Sequence, residues 1–279
     1  MQVRYENHRG ESISLTTWPL MLQDPESLYS NKWSYTSSSR KKLSFQKEKQ
    51  ERAMTLQMFA DSTEEFANIL NQLCKITEID TEANENGLLW LEDDDNKWYL
   101  ECNISASEYS NYEEDYYTVD KKITIIAGSW VWNKKIEKKF NPGKETLEQS
   151  GHGYPHDYPY SYSIGTGHSA TVTNEGFTDS NLIITIYGYA YHPEILIDSH
   201  SYKLNCIVDR NQKVVINTRD RTIRLINLQS GVVKNAFMFR EQASNIFEKI
   251  SPGEHTVFWN TNFNFDITIL IERSEPEWL

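Results

Sequence analysis

The sequence predicts a mainly β protein. Its N-terminal part is expected to be a β-sandwich-like domain with one α-helix, and its C-terminal part a jelly-roll β-sandwich. Three observations carry this. The last hundred residues alternate short apolar runs with turn residues. A clear helical period occurs once, from Phe66 to Cys74. Aromatic residues make up 13% of the chain, with 16 Tyr and 8 Trp, a composition that suits sheet faces.

Residues 3–20 read as strand, turn and strand. Arg9-Gly10-Glu11 forms the turn, and Ile13 and Leu15 alternate with Ser12 and Ser14. Asn31 to Thr36 is a further short strand. Ser37 to Arg52 is polar and basic, with Arg40, Lys41, Lys42, Lys47, Lys49 and Arg52, and has no apolar period. It is expected to be a solvated loop. Thr55 to Phe59 returns to strand. Ser62-Thr63-Glu64-Glu65 is a capping box, and Phe66, Ile69, Leu70, Leu73 and Cys74 follow at helical spacing. Such a short helix is marginal alone and must pack on a sheet. Leu88 to Leu91 and Trp98 to Ile104 form a hairpin across an acidic turn at Glu92 to Asn96. Lys122 to Ile126 completes a first domain, residues 1–139.

Residues 140–178 change to Gly, Pro, Tyr and His, as in Gly151-His152-Gly153-Tyr154-Pro155-His156, and read as a linker. Residues 179–279 then give strands at Leu182–Tyr187, Glu194–Ile197, Tyr202–Val208, Lys213–Asn217, Thr222–Ile226, Val232–Phe237, His255–Trp259 and Phe263–Ile271. In the last of these, Phe263, Phe265, Ile267, Ile269 and Ile271 share one face. Eight short strands in about a hundred residues suit a sandwich or jelly roll.

The net formal charge of −12 argues against nucleic acid as a main ligand, since phosphate binding needs a basic surface. Cys74, Cys102 and Cys206 lack the spacing of a disulfide framework or a zinc site, and each is expected to pack within a helix or strand. No run of eighteen apolar residues exists, so no membrane anchor is expected, and the N-terminus lacks the apolar core of a signal peptide.

Nothing in the chain forms a catalytic set, and no cofactor or metal site is expected. His152 and His156 are four apart, but Gly153 and Pro155 forbid the helix that would bring the imidazoles together. Asp93-Asp94-Asp95 and Glu113-Glu114-Asp115 lack the spaced oxygens and central Gly of a calcium loop. There is no Gly-x-Ser-x-Gly elbow, and Gly165-Thr166-Gly167 lacks the preceding strand of a phosphate loop. The aromatic surplus has two functional readings. Trp130 and Trp132, two apart, share a face that suits an interface patch, and Tyr202 and Trp259 in the sandwich could stack a sugar. Core packing is the plainer reading of both.

Several segments together resemble the distal tail proteins of long-tailed phages. They are Asn7-x-Arg9-Gly10-Glu11-Ser12-Ile13-x-Leu15 with Trp18-Pro19 and Trp33-x-Tyr35, and the Tyr-Pro-His-Asp-Tyr-Pro-Tyr stretch at 154–160. Ser180-Asn181-Leu182-x-Ile184-x-Ile186-Tyr187-Gly188 and Phe247-Glu248-Lys249-Ile250-x-x-Gly253 continue the match. Phe265-Asp266-Ile267-Thr268 and Glu272-Arg273-Ser274-Glu275-Pro276-x-Trp278 close it.

The resemblance implies a structural, non-enzymatic virion component, assembled in the host cytoplasm. The N-terminal domain is expected to close a homo-hexameric ring, with a galectin-like C-terminal sandwich outside it. Expected partners are the tail tube protein, a tail-tip or tail-associated protein, and receptor-binding or baseplate proteins, with DNA only in transit. The alternative is a carbohydrate-binding tail-tip protein that recognises the host cell wall. His200-Ser201-Tyr202 and Asn217-Thr218-Arg219 do not reproduce a galectin sugar site.

Overall fold

The computed structural model describes residues 2–37, 43–46, 49–93, 96–113, 118–141, 168–259 and 263–277. It is mainly β, as the sequence predicts, and divides into two units. The first is Met1–Lys134 with Glu272–Leu279, and the second is Lys135–Ile271. The chain therefore leaves the first unit once and returns to it. The histidines at 152 and 156, the Tyr-Pro stretch, Gly165-Thr166-Gly167, Arg40, Lys41, Lys42, Lys47, Asp94, Asp95, Glu114, Asp115 and Trp278 lie outside the described residues.

In the first unit the strands are β1 (Gln2–Glu6), β2 (Ser12–Ser14), β3 (Leu20–Leu22), β4 (Ser34–Ser37), β5 (Leu43–Gln46) and β6 (Gln50–Phe59). Helix α1 (Thr63–Ala83) follows, then β7 (Gly87–Glu92), β8 (Lys97–Glu113) and β9 (Thr118–Ala127), and β10 (Trp132–Phe140) begins here. All pairings are antiparallel, in the orders β2-β1-β7-β8 and β8-β9-β6-β3. Strand β8 serves both sets. Lys97 to Cys102 pair with β7, and from Asn103 onward the strand pairs with β9, with register shifts at Ile104/Ala106 and Tyr109/Asn111. Bulges of this kind bend a strand and let one chain segment turn from one sheet into another. Alternation places Val3, Tyr5, Leu89, Leu91, Trp98, Leu100, Leu56, Met58, Ile123 and Ile125 in the core.

Two sequence expectations change here. The helix runs 21 residues, well past Cys74. Its inner face continues through Ile76, Thr77 and Asp80, and the two polar residues hide the period. Both are satisfied inside, Thr77 by donating to the Leu73 carbonyl (3.0 Å). The helix starts as expected, with Ser62 Oγ accepting from the Glu65 amide (3.2 Å), while the Glu65 carboxylate accepts from the Asp61 amide (2.9 Å). It stops at Asn84 in the left-handed region (φ 55°). The second change concerns Ser37 to Arg52, which contains β5 and the start of β6. Cross-strand partners make these strands: β5 pairs with β4, and Gln50 to Ala53 pair with Ala127 to Thr124. A polar sequence can hold a strand when a neighbour supplies the ladder.

The second unit is a two-sheet sandwich. Its further strands are β11 (His168–Asn174), β12 (Asn181–Tyr187), β13 (Ala190–Tyr191), β14 (Glu194–Ile197), β15 (His200–Lys203) and β16 (Ile207–Val208). Then come β17 (Gln212–Asn217), β18 (Thr222–Asn227), β19 (Val233–Asn235), β20 (Gly253–Trp259) and β21 (Phe265–Arg273), which ends in the first unit. One sheet has the order β19-β18-β17-β12-β21-β10 and the other β11-β20-β14-β15. Leu182, Ile184, Ile186, Val214, Ile216 and Ile223 from the first face Val172, Ile195, Ile197 and Val257 from the second. Phe140 stacks on Phe265 (4.6 Å between centroids) and Trp259 meets Phe265 edge-on (5.1 Å). The alternation of the final strand holds, with Phe263, Phe265, Ile267, Ile269 and Ile271 all buried.

The expected single strand at Tyr202–Val208 is two, β15 and β16, because the backbone turns between them. The Asn205 amide donates to Phe239 O (2.7 Å) and Cys206 O accepts from the His192 amide (3.0 Å). Cys206 thus sits in a bend, not in a strand. The expected strand at Val232–Phe237 shortens to β19, since Asn235 Oδ1 caps the Phe237 amide (2.9 Å) and a 3-10 helix follows at Phe237–Phe239. Gly188 follows β12 where the Asp209 carbonyl oxygen would lie 1.8 Å from an added Cβ. We therefore expect Gly188→Ala to lower stability by about 1–3 kcal/mol through forced backbone displacement. A urea midpoint unchanged from the parent chain would contradict this packing.

Candidate interaction surfaces

The sequence motifs resolve into buried anchors and exposed aromatics. Asn7 builds the first turn. Its Oδ1 accepts from the amides of Arg9 (3.1 Å) and Glu11 (2.9 Å), and Gly10 takes φ 84°. Glu11 then pairs with Lys75 of α1 (2.7 Å). Beneath this turn the Asp80 carboxyl is fully buried. It accepts from Tyr5 Oη (2.6 Å) and the His8 amide (2.9 Å), and His8 Nδ1 lies 2.6 Å away. Burial, reinforced by the bond to Asp80, pushes the Tyr5 hydroxyl far above its ordinary range, so it stays a donor.

The second unit has matching anchors. Asn174 Nδ2 donates to the carbonyls of Thr178 (3.3 Å), Ile250 (3.0 Å) and Ser251 (3.1 Å), while its Oδ1 accepts from the Gly176 amide and Ser180 Oγ. Thr218 Oγ1 accepts from the Leu182 amide (2.7 Å) and donates to Asn181 Oδ1 (3.3 Å). Asp198 accepts from His255 (2.7 Å), and that bond holds its carboxyl below the ordinary carboxylate range. The closing charged motif is also explained. Arg273 lies over the Trp98 ring (5.5 Å) and pairs with Glu277 (3.6 Å).

The two functional readings of the aromatics do not survive. Trp130 and Trp132 are both buried, and Trp130 Nε1 donates to Leu28 O (3.1 Å) under the Arg52 guanidinium, 3.7 Å from its ring. That burial draws the Arg52 pKa down to about 10. Tyr202 and Trp259 are buried as well, with Tyr202 Oη donating to Glu248 O (3.0 Å), so neither can stack a sugar at the surface. Sequence periodicity could not separate these from exposed rings, because a strand has two faces and either can be covered.

Among the described residues no cluster of three His, Cys, Asp or Glu is placed to hold a metal. Burial raises the thiol pKa of Cys102 and of Cys206, which keeps both protonated and inert. No helix among the described residues is long and apolar enough to cross a membrane.

Among the described residues, exposed apolar side chains gather in several places, two of them at motif residues and at a sheet edge. In the first unit, Trp18 is 60% exposed and stacks on Phe59 (5.2 Å), and Met21, Trp33, Tyr35 and Phe45 are exposed too. Tyr35 and Phe45 meet across the β4–β5 hairpin (6.3 Å). Trp18, Trp33 and Tyr35 belong to the opening motif, yet unlike Asn7 or Leu15 they take no part in a core. In the second unit Leu228, Val232, Val233, Phe237, Met238 and Phe239 are exposed around β19. Gathered exposed aromatic and aliphatic side chains are the surface type that contact sites use.

No protein-family model and no curated protein matches the chain. Solved structures do. A chain of the phage P2 baseplate in its activated conformation with Ca aligns at TM-score 0.60 with 12% identity, covering 98% of this chain and 99% of that one. A chain of the same baseplate with Sr gives TM-score 0.60 and 13% identity at the same coverage. SPP1 Dit, described as a paradigm of the hub adsorption apparatus in phages infecting Gram-positive hosts, aligns at TM-score 0.54 with 10% identity over 97% and 99% of the two chains. The chain thus has, from end to end, the fold of phage baseplate and distal tail proteins.

Two expectations follow from the anchors. An added Cβ at Gly87 would lie 2.3 Å from Tyr5 Oη and 2.4 Å from Asp80 Oδ2. Gly87→Ala should therefore cost about 2–3 kcal/mol in urea unfolding, by overpacking and loss of the buried hydrogen bond. Glu92, hydrogen-bonded to Arg4, and Asp198 both have depressed carboxyl pKa values in the folded state. The unfolded chain binds these protons more readily, so their stabilisation is complete above about pH 4.5 and fades as pH falls through the folded values. Urea midpoints measured from neutral to acid pH should fall in that window. Arg4→Leu should remove the share due to Glu92.

Proposed function

We propose that this protein is the distal tail hub of a phage or phage-like particle. The observation that supports it most is the fold match over nearly the whole chain to baseplate and hub proteins. The motif resemblance points the same way. In this reading residues 1–139 carry the ring and 140–178 join them to a docking sandwich at 179–279. Strand β11, inside the joining stretch, already forms part of a sandwich sheet. Six copies close a ring by heterologous contacts, each using two different patches of the same chain. The ring joins the tail tube to tail-tip and baseplate proteins, with DNA passing through only in transit. The chain acts by assembly and has no catalytic role.

The exposed motif aromatics Trp18, Trp33 and Tyr35 form part of the contact with the neighbouring copy. The sugar-binding alternative named Tyr202 and Trp259, which are buried.

Light scattering of the purified chain, with negative-stain images of the same peak, tests the reading. Hexameric rings, single or stacked, are expected. A strict monomer at high concentration, with no ring on purified tail tubes, would overturn it. Trp18→Asp with Tyr35→Asp should shift rings toward smaller species while lowering the free energy of urea unfolding by no more than about 1–3 kcal/mol, the worth of the two ring pairs they break. Unchanged rings would remove these residues from the contact.

A further inference from the structure

We propose that the free edge of β19 receives an extended, acidic segment of another protein as an added strand. Strand β19 ends its sheet and, among the described residues, pairs only with β18. The Ala236 amide donates to Ile223 O (2.9 Å), and the Asn227 amide donates to Val232 O (3.0 Å). With the register Arg224↔Asn235 and Ile226↔Val233, this alternation turns the amides and carbonyls of Val233 and Asn235 away from β18. They point to the open side of the sheet. An extended chain laid there finds donors and acceptors at strand spacing.

The side chains on both faces specify what kind of chain fits. One face of the edge forms a cleft of about 310 Å³ lined by Arg221, Thr222, Arg224, Val233, Asn235 and Phe237. The other forms a cleft of about 210 Å³ lined by Leu225, Val232 and Lys234 among others. Each cleft therefore combines apolar surface with cationic groups. Successive residues of an added strand would point into the two clefts in turn.

Charge selects the occupant. The protein as a whole carries −12, yet from Arg219 to Arg240 the chain has Arg219, Arg221, Arg224, Lys234 and Arg240 against a single acid, Asp220. Asp220 is engaged with Asn217 (2.8 Å). Arg221, Arg224 and Lys234 have no carboxylate partner among the described residues. Two copies of this edge would set like charges against each other, which disfavours self-pairing. An acidic segment with alternating apolar residues meets both the charge and the apolar surface. In the hub reading this segment belongs to a protein docked on the sandwich, but the binding itself can be tested without a ring.

The test uses the full chain and a short fluorescein-labelled peptide of alternating glutamate and valine, with a lysine and valine peptide as control. Saturable binding of the acidic peptide alone is expected, with slowed hydrogen exchange at the Val233 and Asn235 amides. Arg221→Glu with Arg224→Glu should weaken it about tenfold or more. Val233→Pro, which removes an outward amide that no strand of this chain uses, should weaken it comparably. If Val233→Pro does not fold, the charge variant and the exchange readout decide. No saturable binding overturns the proposal. So does binding without amide protection, which would mean charge attraction only, or binding of a neutral oligosaccharide in the peptide's place. Light scattering of the same samples keeps this separate from the hub reading, since rings without peptide binding would refute only the docking edge.

Discussion

The Asp80 carboxyl is the group on which the first unit's N-terminal half depends. It has no solvent exposure, so every lone pair it presents must be met by the protein. Tyr5 from β1, His8 from the following turn and the end of α1 converge on it. Leaving one of these partners unmatched costs about 1–3 kcal/mol, more than the bond contributes when made. The site also dictates a residue two elements away. Gly87 opens β7 beside the pair, and no larger side chain fits there. A polar cluster of this kind selects one helix register and one turn geometry, where an apolar contact would tolerate several.

The same logic explains what the recognisable motif residues do in the fold. Asn7, Asn174, Ser180, Asn181 and Thr218 spend their polar atoms on backbone groups at turns and strand ends and on one another. Arg273 and Glu277 spend theirs on Trp98 and each other. What is left over from the motifs is exposed aromatic surface, which suits assembly.

Much of the fold was legible in the sequence, because Leu182, Ile184 and Ile186 of β12, Val214 and Ile216 of β17, and Phe265, Ile267 and Ile269 of β21 recur at a period of two on the core face. The helix start was legible from its capping box, but its length was not, since Thr77 and Asp80 break the apolar period while lying inside. Strand β5 and the start of β6 were hidden by a polar composition whose ladder partners are distant in sequence. The interaction surfaces were least legible. Trp130 and Trp18 look alike as letters, and only the Arg52 side chain and the Leu28 carbonyl above one of them decide which is buried. The β19 edge shows in sequence as a basic run, while its open ladder is a property of sheet order alone.

The chain enters its second unit within β10 and comes back within β21, so residues 272–279 are part of the unit that begins at the N-terminus. A ribosome making this protein therefore finishes the first unit last. Arg273 can reach Trp98 only after the whole intervening sandwich has been synthesised. A transcript cut short in the sandwich would yield a first unit lacking its closing piece. The fold itself would thus register whether synthesis had passed Arg273.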